Sequence, residues 1–139
     1  MSRLVPMFLV ITVVTMTAIW FSGRPGMQAG MGTTGAMVDV TVPELTPIAE
    51  MGQQVFEENC AVCHGANAAG NDGAGPPLVH IVYEPNHHGD AAFYMAARNG
   101  VRAHHWKFGD MAPVPGVTEA DVTAIIAYVR ELQRANGIH

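Results

Sequence analysis

The pentapeptide Cys60-Ala61-Val62-Cys63-His64 constrains this chain more than any other feature, because it holds both cysteines among the 139 residues. Apolar side chains recur at helical spacing just before it, at Ile48, Met51, Val55 and Phe56. This pattern predicts a helix that leads into the pentapeptide. On a helical turn, residues three positions apart lie on the same side. We therefore expect both thiols and the neighbouring imidazole to face a single bound group.

Three kinds of site use two thiols and an imidazole near one another. A redox-active dithiol of the thioredoxin type needs a strand before the motif, whereas a helix is predicted there. A structural zinc site needs further ligands, and the sequence holds no second cysteine pair. The spacing C-x-x-C-H is that of covalent haem attachment, in which two thiols add to the two vinyl groups of a porphyrin. We therefore predict one haem c bound through thioethers to Cys60 and Cys63, with His64 as the proximal iron ligand.

Four stretches spread over about residues 48–134 resemble the class I, monohaem c-type cytochromes. They are Gly52 and Phe56 before the motif, Gly75-Pro76-Pro77-Leu78 after it, Met111-Ala112-Pro113-Val114, and Tyr128-Val129 near the end. The resemblance implies an all-α fold, in which the N- and C-terminal helices cross around one covalently bound haem. Gly52 and Tyr128 match the positions at that crossing. The resemblance also implies that the Pro76 carbonyl accepts a hydrogen bond from the proximal histidine and that Leu78 packs on the haem.

The sixth iron ligand has nine candidate methionines. Six of them lie within the first 37 residues. Met51 and Met95 fall in predicted helices, where we expect them to pack in the core. Met111 lies in a proline-rich loop before the last helix and matches the axial methionine of the family. A thioether is soft and neutral, so this ligand favours ferrous iron and raises the reduction potential relative to two histidine ligands.

Histidine is more abundant than an electron carrier of this size needs. Five histidines lie in the loops, at His80, His87, His88, His104 and His105. One interpretation is a haem with two histidine ligands, and another is a second metal such as copper, held by some of the five. We favour a third interpretation, in which they supply loop polarity and hydrogen bonds to the haem propionates, with Trp106 and Arg102 beside them.

An uncharged apolar stretch of 18 residues, Leu4–Phe21, lies between Arg3 and Arg24. As a helix it would be about 27 Å long, close to the thickness of a bilayer's hydrocarbon core. We favour the interpretation that residues 1–22 form an uncleaved signal anchor. The alternatives are a cleaved signal peptide and a buried core helix. The anchor predicts a single-pass protein of the bacterial cytoplasmic membrane with its haem domain on the periplasmic side. Cleavage predicts a soluble periplasmic protein.

The rest of the chain divides into two parts by composition. Residues 23–45 are rich in glycine, lack a helical period and carry little charge, so we predict a flexible linker. Residues 46–139 form the predicted cytochrome c domain. Thr46-Pro47 is typical of a helix start, with a capping hydroxyl followed by proline. Thr118 followed by Asp121 resembles a capping box at the start of the last helix.

The charge distribution limits the function classes. The formal net charge is −5, and all twelve acidic residues lie from Asp39 onward. The chain has no cluster of lysine and arginine, so nucleic-acid binding is excluded. We predict a one-electron carrier between membrane or periplasmic redox partners, and not an enzyme. The alternatives are a haem subunit of a larger dehydrogenase or oxidase, and a haem or copper site with an open position for a small ligand.

Overall fold

The computed structural model describes residues 35–139. Its helices are α1 (Pro47–Asn59), α2 (Ala61–His64), α3 (Asp90–Asn99) and α4 (Glu119–Ala135), with two 3₁₀ turns at Ala66–Ala68 and Ile81–Tyr83. The described residues contain no β-strand, only two isolated bridges. The predicted all-α class is therefore confirmed for this part of the chain. The apolar stretch Leu4–Phe21 lies outside it, and none of the helices in 35–139 has the length and apolar character needed to cross a membrane.

Helices α1 and α4 cross at very close range. A Cβ atom added to Gly52 on α1 would lie 1.9 Å from the carbonyl oxygen of Ala124 on α4, so only glycine allows the two backbones to approach this closely. Next to this point the rings of Phe56 and Tyr128 pack with centroids 5.7 Å apart. Both side chains are fully buried. The crossing implied by the family resemblance is thus present at Gly52 and Tyr128.

The core of the domain lies along one face of α4. Its buried apolar side chains there are Val122, Ala124, Ile125, Ile126, Tyr128, Val129 and Leu132. They follow the helical period that the sequence displays. Burying a side chain such as Leu or Val stabilises the fold by about 1.5–3 kcal/mol. This face holds α4 against α1 and, with Ile125 and Val122, reaches the wall of the cavity described below.

A reciprocal capping box begins α4, as predicted. The Asp121 backbone N–H donates to Thr118 Oγ1 over 3.2 Å, and the Thr118 backbone N–H donates to Asp121 Oδ2 over 2.8 Å. The Thr118 hydroxyl also donates to this carboxylate, over 2.7 Å. Hydrogen bonds from the Thr118 side chain and then from its backbone lower the pKa of Asp121. These bonds satisfy N–H groups that an uncapped helix would leave unpaired.

We expect Thr118→Ala to lower the free energy of unfolding at neutral pH by about 1 kcal/mol, the usual cost of losing an N-cap hydroxyl. The folded-state pKa of Asp121 lies below its ordinary value near 3.8. Its stabilising contribution is therefore present above that value and is lost as the pH falls through the lower, folded-state pKa. Urea unfolding at pH 7 and at about pH 3 measures both effects. Thr118→Ser keeps the hydroxyl and is the control; an equal loss in both variants would contradict this role.

The start of α1 differs from the prediction in one respect. Pro47 occupies the first turn as expected, but the Thr46 side chain makes no capping hydrogen bond. Its hydroxyl instead donates to Glu131 Oε1 on α4 over 2.6 Å, and its backbone N–H donates to Glu131 Oε2 over 3.1 Å. The hydroxyl therefore bonds to the carboxylate on the neighbouring helix and makes no capping bond to α1. Thr46 therefore ties the start of α1 to α4.

Residues 35–45 lie against the domain and are not a free linker. The backbone N–H groups of Met37 and Val38 both donate to the Ala69 carbonyl, over 3.0 and 3.2 Å. Further along, the Thr41 backbone exchanges two hydrogen bonds with the side chain of Asn136, a residue 95 positions away in the sequence. The predicted flexible linker over 23–45 therefore does not extend through its last eleven residues, because their backbone groups find partners on the domain. Residues 23–34 lie outside the described part of the chain.

Candidate functional site

A cavity of about 510 Å³ lies between the end of α1, α2, α3 and the loop that precedes α4. Its lining is dominated by apolar side chains. Six of the seven site residues predicted from the sequence line it: Cys60, His64, Pro76, Leu78, Trp106 and Met111. The seventh, Cys63, follows Cys60 by one turn and is exposed. The structure therefore brings together, around one cavity, residues that lie up to 51 positions apart in the sequence.

His64 ends α2 and has a fixed orientation. Its Nδ1 atom lies 2.9 Å from the Pro76 carbonyl oxygen. A carbonyl only accepts, so Nδ1 carries the proton and the lone pair is on Nε2. Burial lowers the pKa of His64, against the opposing effect of this hydrogen bond. The ring is therefore neutral at neutral pH, the form in which an imidazole binds a metal. This is also the Pro76 contact that the resemblance implies.

The two cysteines differ in their surroundings. Cys60 is half-buried at the end of α1, and burial followed by the nearby Cys63 raises its pKa to about 11. No disulfide joins the two cysteines. Within residues 35–139, no third ligand joins the pair to form a metal-binding group. A helix precedes the motif, as predicted. These facts argue against a zinc site and a thioredoxin-type dithiol. The Cys60 thiol lines the apolar cavity, and Cys63 is exposed one turn further on.

Met111 is held at the cavity by its backbone. Its N–H donates to the Val101 carbonyl and its carbonyl accepts from the Val101 N–H, over 2.9 and 3.0 Å. These bonds close the loop 101–111 onto the end of α3. Gly100 ends α3 with φ +73°, and a Cβ there would lie 2.3 Å from the Met111 carbonyl oxygen. A glycine at this position therefore permits both the left-handed conformation and the close approach.

A second methionine reaches the same cavity. Met95 on α3 lines it and is 56% exposed. The prediction that it packs in the core is wrong, because α3 turns this face toward the cavity mouth. Met51 on α1 is likewise 56% exposed and not part of the core. The cavity thus contains two thioethers, Met95 on a helix and Met111 on the loop.

The cavity wall holds one buried donor without a protein partner. Trp106 Nε1 is buried and makes no hydrogen bond of good geometry within residues 35–139, although the Tyr83 side chain lies close enough to interact with it. An unpaired buried N–H costs about 1–3 kcal/mol, so it indicates a ligand acceptor. A largely apolar group that carries carboxylates would satisfy both the cavity and this donor. Haem, with its two propionates, fits this chemistry, and the neighbouring imidazole, thiols and thioethers are its usual attachment and iron ligands.

A family model described as cytochrome c matches residues 49–133. The chain belongs to the cytochrome c family. The matched region contains all seven site residues predicted from the sequence, and it begins and ends on the two crossing helices α1 and α4. Membership confirms the resemblance drawn from the sequence to class I c-type cytochromes, together with the helical fold that it implied.

Curated relatives of this cytochrome c are named as subunits of a cytochrome bc1 complex and of a cbb3-type cytochrome c oxidase. The cytochrome bc1 complex cytochrome c subunit of Mycobacterium tuberculosis is 32% identical over 114 residues, which cover 81% of this chain and 36% of that protein. The cbb3-type cytochrome c oxidase subunit CcoP of Rhodobacter capsulatus is 35% identical over 89 residues, or 60% of this chain and 29% of that protein. This chain therefore spans about a third of the length of these relatives.

Sequence reasoning missed the role of Arg130. Although it carries a charge, it is only 7% exposed. Its guanidinium donates to Asp90 Oδ1 over 2.9 Å, to the Tyr83 carbonyl over 2.8 Å and to the His88 carbonyl over 2.6 Å. It also lies 5.0 Å from the centroid of the Phe93 ring. Arg130 thus ties α4 to the segment before α3, which forms part of the cavity wall. Its burial could have been predicted from its position four residues after Ile126, on the apolar face of α4.

Proposed function

We propose that this cytochrome c is a monohaem, one-electron carrier. Cys60 and Cys63 form the two thioethers, and His64 and Met111 supply the axial iron ligands. The observation that carries the proposal is the gathering of an oriented imidazole, a thiol and a loop thioether around one apolar cavity of about 510 Å³. The two cysteines of the whole chain suffice for one haem c.

Bound haem supplies a single iron that cycles between the ferrous and ferric states. The residues of the chain determine how easily it does so. Burial keeps His64 neutral, and the Pro76 carbonyl orients its ring and strengthens it as a ligand. Met111 is held by the Val101 pairing and favours the ferrous state. With His64 and Met111 both serving as ligands, the site would leave no position for a substrate and would suit electron exchange.

Electron exchange requires one edge of the group to lie near the surface. The attachment turn supplies this edge, because Val62 is 77% exposed and the adjacent Cys63 is also exposed. In this proposal Trp106 Nε1 donates to a propionate, at the other end of the haem. Leu78, which lines the cavity, would pack against the porphyrin and exclude water.

We also propose that the apolar stretch Leu4–Phe21 anchors the protein in the bacterial cytoplasmic membrane, with the haem domain on the periplasmic side. Its support is the uncharged length and the flanking Arg3 and Arg24. Detergent phase partitioning of the full chain and of a chain lacking residues 1–24 tests the anchor. Retention of only the full chain in the detergent phase is expected. Equal partitioning, or a mature protein that starts after this stretch, would favour the cleaved form.

The names of the relatives favour a second proposal, that this carrier works as a subunit of a larger respiratory complex. The mycobacterial and Rhodobacter proteins carry the matching region within longer subunits of a bc1 complex and an oxidase. Mild solubilisation followed by native electrophoresis with haem staining tests the idea. Comigration of the haem stain with a large complex supports a subunit, and migration as a small species supports a free carrier.

Haem attachment is tested by a pyridine haemochrome spectrum together with the intact mass of the exported protein. We expect one covalently bound haem c per chain, and its loss when Cys60 and Cys63 are both changed to serine. Thr123→Ser, on the surface of α4, is the control and should retain the haem. Extraction of the pigment by acid and acetone, or a mass equal to that of the polypeptide alone, would contradict the proposal.

The axial ligand is tested by comparing the two cavity methionines. We expect Met111→Ala to lose the long-wavelength ferric absorption band of methionine ligation and to lower the reduction potential. Met95→Ala removes the other thioether of the cavity and should leave both unchanged. An unaltered spectrum for Met111→Ala, or loss of the band in Met95→Ala, would assign the iron ligand differently.

A further inference from the structure

Three histidines from two separate segments meet beside the cavity. His87 and His88 lie just before α3, and His105 lies in the loop 101–111 that carries Met111. Each offers a ring nitrogen, and the three nitrogens lie within 4.8 Å of one another. Among the described residues this is the one group of three or more histidine, cysteine or acidic side chains close enough to hold a metal ion. His80 and His104 are not part of it.

The spacing of two of these nitrogens matches a tetrahedral metal site. The Nε2 atoms of His87 and His105 are 3.2 Å apart. Two imidazole nitrogens at about 2.0–2.1 Å from a tetrahedral zinc ion are themselves about 3.3 Å apart. The rings of His88 and His105 have centroids 5.1 Å apart, so the third imidazole is also near. Its ligand nitrogen lies within 4.8 Å of those of His87 and His105.

His88 already has the outer contact that a metal-binding histidine needs. Its Nδ1 lies 2.6 Å from the Val82 carbonyl oxygen, so Nδ1 carries the proton and the lone pair is on Nε2. Metal-binding histidines almost always make such a bond with their second nitrogen. The His88 backbone is fixed in turn, since its carbonyl accepts from Arg130 over 2.6 Å. The ring is therefore oriented before any metal arrives.

The cluster is open to solvent on one side. His87 and His105 are exposed and His88 is half-buried. A metal ion therefore has a path to the three nitrogens, and water has access to the fourth position. Without a metal, the close pair His87 and His105 shares at most one N–H···N hydrogen bond, which leaves lone pairs of the cluster unused.

We propose that His87, His88 and His105 form a site for one divalent transition-metal ion that prefers imidazole, such as Zn²⁺ or Cu²⁺, with a water molecule as fourth ligand. His88 and His105 also line the cavity, but none of the three residues is an iron ligand in the proposed function, so the two sites share a wall and no ligand. A bound ion would connect the segment before α3 to the loop 101–111. It would thereby hold that loop closed.

The test is a calorimetric titration of the haem-loaded full chain with Zn²⁺. We expect one Zn²⁺ per chain and a rise in thermal unfolding temperature on binding. His105→Ala should lower the affinity at least about tenfold, as even the loss of outer contacts does at metal sites. His139→Ala, outside the cluster, is the matched control and should bind as the parent does. Absence of stoichiometric binding, or equal affinity in His105→Ala, would overturn the proposal.

X-ray absorption at the zinc edge provides a second measurement, which does not depend on a variant. Three nitrogen neighbours at about 2.0–2.1 Å, with an additional oxygen, are expected. Sulfur neighbours would place the ion on Cys60 and Cys63 and would overturn the proposal. If the chain carried no haem, the same titration would be done on the Cys60→Ser and Cys63→Ser double variant, in which no thiol competes for Zn²⁺. It would still show whether the three histidines bind the ion. The two hypotheses therefore fail separately.

Discussion

Arg130→Ala is expected to lower the free energy of unfolding by about 3 kcal/mol or more, through lost hydrogen bonds and a cavity in the wall. The guanidinium is buried and bonds Asp90, two backbone carbonyls and Gln133 Oε1. In the Arg130→Ala variant the Tyr83 carbonyl would still accept a hydrogen bond from Gln133 Nε2. The His88 carbonyl would lose the bond that it accepts from Arg130. The loss is a large fraction of the stability of a typical domain, which is about 5–15 kcal/mol.

Thermal and urea unfolding measure this effect. A loss of about 3 kcal/mol corresponds to a decrease in Tm of at least roughly 12 °C for a domain of this size. Arg134→Ala, on the exposed side of the same helix, should change stability by less than about 0.5 kcal/mol. Arg130→Lys keeps the charge but cannot reach several acceptors in a plane, so it should be intermediate. Equal stability of Arg130→Ala and Arg134→Ala would refute the structural role.

Gly52→Ala is expected to have a comparable or larger effect. The new Cβ would overlap the Ala124 carbonyl, 1.9 Å away, where the neighbouring atom is backbone and cannot rotate aside. The helices α1 and α4 would have to separate, which costs about 3 kcal/mol or more, at the upper end of what overpacking usually costs. Separation also loosens the packed rings of Phe56 and Tyr128.

The control for Gly52→Ala is Glu58→Ala, an exposed position on the same helix. Alanine raises helix propensity more at Gly52 than at Glu58, so a lower stability of the Gly52→Ala variant reports the helix crossing. Urea unfolding provides the measurement, and the yield of haem-loaded protein provides a second one, because the end of α1 presents Cys60. A Gly52→Ala protein as stable as the parent would mean that the crossing is wider than the structure has it.

The features that could be predicted from the sequence are those that depend on residues close together in it. The helical period of α1 and α4, the capping box at Thr118 and the attachment motif all depend on residues a few positions apart. The family resemblance added the Pro76 contact with His64 and the position of Met111. The assignment of these residues to a haem stays a prediction, while their meeting around one cavity is a feature of the fold.

Competition between distant partners explains the features that were missed. Thr46 could cap α1, but Glu131, 85 residues away, takes its hydroxyl. Arg130 could face solvent, but four acceptors surround it. Residues 35–45 have no pattern of their own and are held by backbone bonds to Ala69 and Asn136. None of these partners can be read from local periodicity.

The sequence by itself determined the helices, the pair of thiols beside an imidazole and the family, since each depends on a local pattern or a motif of fixed spacing. Only the tertiary structure decided which methionines reach the cavity, which arginine is buried and which histidines meet. Those outcomes depend on how the loops close over α4, and His87 and His105 come within 3.2 Å only because that closure occurs. Hydrogen bonds between residues far apart in sequence form only after the chain has folded.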